Sequence, residues 1–116
     1  MDQEKNQVQV DERILGRAVS AEVLAEYQEG AIVSRQLTSQ KTGNVTVFAF
    51  DRGQALSEHT APFHALVHVL DGTAQISIQG QRHTVPKGEV ILMPANIPHA
   101  VKAEERFKMM LVMIRS

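Results

Sequence analysis

The chain has no cysteine and no tryptophan, and only one tyrosine and four phenylalanines among its 116 residues. Without cysteine the fold cannot lean on disulfides, and thiolate metal sites and cysteine nucleophiles are excluded by composition. The same absence favours a cytoplasmic location. An excess of one charge is also missing: twelve Lys plus Arg stand against thirteen Asp plus Glu, for a formal net charge of -1. Nucleic-acid backbones demand surplus cation, so no nucleic-acid partner is expected. The longest apolar run, Met109 to Ile114, falls far short of the about 18 residues of a membrane span, so no membrane partner is expected either. The opening stretch Met1-Asp2-Gln3-Glu4-Lys5-Asn6-Gln7 is polar and acidic, unlike the basic and then apolar start of a secretory signal.

What is present suits one soluble globule. Hydrophobic residues make up 43% of the chain and charged residues 22%, a balance that excludes wholesale disorder. A chain of this length supports a single domain that hides about two-thirds of its unfolded surface. Residues 1–13 are polar and charged, which predicts a flexible N-terminal arm, with the folded domain over 14–116. Between Ile14 and Tyr27 the apolar residues fit helical spacing poorly and strand spacing only in part.

From Gly30 onward, short β-rich runs are punctuated by Gly43-Asn44, Asp51-Arg52-Gly53, Asp71-Gly72, Gly80 and Pro86-Lys87-Gly88. That rhythm predicts an all-β domain of roughly eight to ten strands, closed into a barrel or a two-sheet jelly roll. In Thr73 to Gln79 the residues Ala74, Ile76 and Ile78 alternate with polar ones, the pattern of a half-buried antiparallel strand. Val45–Phe50, Ala65–Leu70 and Phe107–Ile114 are apolar on both faces and belong inside a sandwich or between subunits. A βαβ alternation, a phosphate-binding glycine loop, a zinc-protease helix motif and a nucleophile-elbow serine are all absent, which removes several enzyme classes.

All five histidines, His59, His64, His68, His83 and His99, lie in the second half of the chain. His59 follows Gly53 and a strand-like run. His99 follows Pro94-Ala95-Asn96-Ile97-Pro98, a turn stiffened by two prolines. Gly53, His59 and Gly72, then Gly88, Pro94 and His99, fall on the two spaced motifs of the cupins, which this chain resembles over most of its length. The resemblance implies a cupin double-stranded β-helix, a jelly-roll barrel in a single domain. It also implies a divalent metal (iron, manganese, nickel or zinc) held inside the barrel by two histidines and a glutamate of the first motif and the histidine of the second. Here the second histidine position is Ala61 and the glutamate position is Ala65, while Asn96 and Ala103 replace a glycine and an asparagine of the second motif. Only His59 and His99 carry over.

Two imidazoles rarely hold a metal, because catalytic sites generally use at least three protein ligands. His64 is the candidate third ligand. Strand alternation would turn it away from the wall that residue 65 occupies, so it needs a bulge, for which Thr60-Ala61-Pro62-Phe63 is the available place. A pocket lined by His59, Ala61, Ala65, His99, Phe48 and Phe50 is the candidate site, with core filling as the default role of the two phenylalanines. His68 reads as a packed or subunit-contact residue, His83 as a surface residue, and Glu58 and Glu89 as solvated carboxylates.

Two functions follow. The first is a barrel that binds a small polar or aromatic molecule around His59 and His99, its metal site degenerate. The second is a metal-dependent dioxygenase or isomerase using His59, His64 and His99. A ligand-sensing module of a regulator is disfavoured because the chain carries no DNA-binding helices. The apolar surplus of Phe107–Ile114 and Gly16–Tyr27 predicts a homodimer.

Overall fold

The computed structural model describes residues 8–115. Among the described residues, nine strands run in the order β1 (Gln9–Val10), β2 (Ile32–Gln40), β3 (Gly43–Phe50), β4 (Ala55–His59), β5 (Ala65–Ile78), β6 (Gln81–Pro86), β7 (Val90–Met93), β8 (His99–Lys102) and β9 (Phe107–Ile114), with one short 3-10 turn at Ala21–Val23. Every pairing is antiparallel. One layer follows β1-β2-β3-β9-β5-β7, and the other is built from β6, β5, β8 and β4. Strand β5 belongs to both. Its first half, Ala65 to Gly72, pairs with β9, and its second half, Thr73 to Ile78, pairs with β6. The chain is thus all-β, a jelly roll of two antiparallel layers.

Strand alternation fills the space between the layers. Phe50, Val67, Val69, Ile76, Phe107 and Met109 are each 1% exposed or less, and Phe50 stacks on its cross-strand partner Phe107 with ring centroids 4.6 Å apart. Ala74 and Ile76 face this core as their alternation predicts.

The strands that read as apolar on both faces are explained by a second, smaller core on the outside of the first layer. There Val47, Ala49 and Leu70 lie under Leu24 and Ala25, with Ile14, Tyr27 and Met110 around them. Residues 14–30 are therefore a strap of turns that covers one face, which is why their apolar spacing fits neither a helix nor a strand. The strap is tied by long-range polar contacts. Tyr27 donates to Asp71 Oδ2 at 2.6 Å, Lys108 Nζ donates to the Glu22 carbonyl at 2.6 Å, and Gly30 N–H donates to Asp51 Oδ2 at 2.6 Å. Burial, and then the neighbouring Asp71 carboxylate, push the Tyr27 hydroxyl above its ordinary range. The Arg106 guanidinium and then the Gly30 amide hold Asp51 down at about 2.

Within the expected arm, the described residues dock on β2. Gln9 and Val10 pair with Ser39 and Thr38, and Asp11 accepts from Arg35 Nε at 2.7 Å, an interaction that holds its carboxyl at about 2. The reason is the open edge of β2, whose free backbone groups take a partner strand. The remainder of that arm, residues 1–7, lies outside the described residues.

Candidate functional site

The site begins with an irregularity in β4. Leu56 pairs with Val101, yet the next pair is His59 with His99, so β4 spends one residue more than β8 over the same stretch. That bulge at Ser57–Glu58 reverses the alternation and brings His59 onto the face of Leu56 and Val101, towards the core. The result is an imidazole pair with ring centroids 4.4 Å apart and planes at 67°. His99 is buried at 5% exposure, whereas His59 stands exposed at the mouth.

Backbone carbonyls fix both rings. His59 Nδ1 lies 2.8 Å from the Ser57 carbonyl oxygen, and His99 Nδ1 lies 3.2 Å from the Ile97 carbonyl oxygen. A carbonyl only accepts, so each Nδ1 carries a hydrogen, and a ring in its neutral form is left with a lone pair at Nε2.

Two loops complete this end of the barrel. Residues 60–64 carry the chain from His59 to Ala65, and 94–98 carry it from Met93 to His99, so the row Asn44–Met113–Ala65–Met93 in one layer ends beside the row His59–His99–Ile78 in the other. Asn96 N–H donates to the Ala61 carbonyl at 2.7 Å and locks the loops together. Asn96 stands at φ 64°, the left-handed conformation that asparagine tolerates better than other non-glycine residues. This explains how it replaces the glycine of the second motif without disturbing the turn.

His64 does not join the pair. Ala65 faces the core at 3% exposure, its neighbour points the opposite way, and the bulge that would have turned His64 inward lies instead at Ser57–Glu58. His64 Nδ1 accepts the Ala95 N–H at 2.9 Å, and the ring borders an outer apolar groove of about 660 Å³ with Phe63, Leu66 and Leu92. Among the described residues no group of three His, Asp or Glu is placed to hold a metal ion. The donor set for iron, manganese, nickel or zinc therefore stops at two imidazoles, with Ala61 and Ala65 where further ligands would stand, and the residues do not fit a resident metal. The three-histidine enzyme loses its third ligand.

Of the other pocket candidates, Ala65 is buried in the wall and Ala61 is half-buried in its loop. Phe50 is part of the core stack, and the half-buried Phe48 packs beside it at 6.1 Å. His68 is half-buried on the outer face beside the strap, and His83 is half-buried on β6 opposite Ile76. One polar group was missed by sequence reasoning: Asn44, whose Oδ1 is buried without a hydrogen-bond partner. It reads as a turn residue beside Gly43, but counting back in twos from Phe50 through Phe48 and Thr46 places it on the core-facing side.

The fold and the pair define a cupin-type barrel with a histidine-marked end. Residues 43–115 match the AraC-like ligand binding domain family, and the chain belongs to that family. Among solved structures it is similar to a conserved protein of unknown function from Streptococcus pyogenes, 34% identical over 87% of this chain and 89% of that one, with a TM-score of 0.83. A cupin 2 conserved barrel domain protein from Leptotrichia buccalis is 48% identical over 82% of this chain, with a TM-score of 0.78, and this chain spans 46% of its length. A cupin superfamily protein from Desulfitobacterium hafniense DCB-2 is 26% identical over 87% of this chain and 93% of that one, with a TM-score of 0.82. No curated protein sequence matches the chain. Among the described residues no helix is long and apolar enough to cross a membrane.

Proposed function

We propose that the chain is a cytoplasmic binding barrel for a small polar or aromatic molecule, held at the end marked by His59 and His99. The observation that carries the reading is the imidazole pair, turned to one face by the β4 bulge and fixed by two backbone carbonyls. The family's ligand-binding character supports it. In a thermal-shift screen of small metabolites, at least one compound is expected to raise the Tm by several degrees, as ligation of the native state requires. That shift should vanish in His99→Ala. A screen in which no compound moves the Tm would remove the reading.

The same reading includes a homodimer. Much of the apolar surplus in β9 and the strap is spent inside the chain, since the strap covers Val47, Ala49 and Leu70. Apolar side chains stay uncovered in two places: Leu15 at 64%, Val19 at 45% and Val23 at 56% exposure in the strap, and Val90 at 58%, Leu92 at 60% and Ile114 at 71% around the edge strand β7, which among the described residues pairs with β5 alone. An unguarded apolar edge favours association. Sedimentation at micromolar concentration should return twice the chain mass, and Leu92→Glu should return the monomer mass.

A further inference from the structure

We infer that the barrel takes a neutral molecule with an apolar body and two hydrogen-bond donors, which it offers to Nε2 of His59 and Nε2 of His99, and that this end of the barrel holds no resident metal. The inference rests on the binding reading above and names its ligand class. It starts from tautomers. Because the Ser57 and Ile97 carbonyl oxygens take the Nδ1 hydrogens, the two neighbouring rings in their neutral form present lone pairs together, and among the described residues no protein group donates to either Nε2. A ligand that satisfies these atoms must bring O–H or N–H groups.

Charge narrows the class further. The core beside this end is apolar, with Leu56 and Ile78 on the strands of the pair and Met93 and Met113 in the facing row. Among the described residues neither imidazole forms an ion pair with an Asp or Glu. Lone pairs facing an anion repel it, and an unpaired charge is costly to bury there. A divalent cation would find two imidazoles and two alanine methyl groups, one donor short of the usual minimum.

The experiment uses full-length, metal-free protein at about pH 8, where free imidazole is neutral. Long-range proton–nitrogen NMR should show both His59 and His99 with hydrogen on Nδ1. Addition of ortho-benzenedimethanol should move both Nε2 resonances. Its dimethyl ether, which has the same ring without donors, and phthalate, which has acceptors only, should bind at least about tenfold more weakly, the loss expected for one to two missing hydrogen bonds. His59→Leu, at an exposed position that leaves the core intact, should lose the diol response by a similar factor. An Nε2–H tautomer at either ring overturns the inference, as does stoichiometric micromolar binding of Ni²⁺ or Zn²⁺ that His59→Leu abolishes. Phthalate binding at the pair in preference to the diol overturns the ligand class while leaving the binding barrel standing. Silence of both rings towards all three probes overturns the inference and leaves the binding reading to its own metabolite screen.

Discussion

Gly72→Ala is expected to destabilise the protein by roughly 3–5 kcal/mol, the sum of overpacking and left-handed strain on a non-glycine residue. Against a total stability of about 5–15 kcal/mol, this lowers the Tm by about 15 °C. Gly72 stands where β5 leaves one layer for the other, at φ 70°, and a Cβ there would fall on the Arg106 carbonyl oxygen and meet Phe107 Cα at 3.0 Å. Both obstacles are backbone, held by the pairing of β5 with β9 and by Phe107 in the core stack, so neither moves aside cheaply. Gly80 is the internal control. It has a similar φ of 79°, and an added Cβ there meets nothing within 4 Å, so Gly80→Ala should cost only about 1–2 kcal/mol of backbone strain. Urea or thermal melts of the two variants separate the effects, and equal losses would show that the crossover at Gly72 tolerates a side chain.

That contrast also shows what the sequence could reveal. Gly72 closes the first spaced motif, and its place after six residues of apolar strand was legible, as were the β rhythm and the alternation of Ala74, Ile76 and Ile78. Turn residues and period-two patterns are local, and a jelly roll is built from many such local units. The convergence of His59 and His99 was legible through motif spacing. The bulge that produces it was not, because Ser57 and Glu58 carry no local signal for the extra residue, and β4 acquires its register only against β8. The same non-locality misplaced His64: the nearby Pro62 drew attention as the site of a bulge, while the irregularity lay on the other side of His59. Asn44 and the strap escaped for a related reason, since both are defined by what lies opposite them in space.

The strap gives the second large expectation. Leu24→Asn should cost about 3–5 kcal/mol, because it removes a well-buried apolar side chain and leaves an amide without a guaranteed partner in its place. Leu24 is 7% exposed and closes over Val47 and Ala49, which are both fully buried only because the strap lies on them. Leu15, in the same segment, is 64% exposed, so Leu15→Asn should stay within about 0.5 kcal/mol of the parent. Denaturant melts of both variants, with binding of a hydrophobic dye to detect an opened outer face, check the pair. If Leu24→Asn melts like Leu15→Asn, the strap is only laid on the barrel. If it unfolds at much lower urea, the strap is part of the cooperative unit, although it lies N-terminal to residues 43–115 that match the family. The second outcome is the one the packing supports, because β3 and β5 present apolar side chains to both sides, and strands of that kind are stable only with both sides covered.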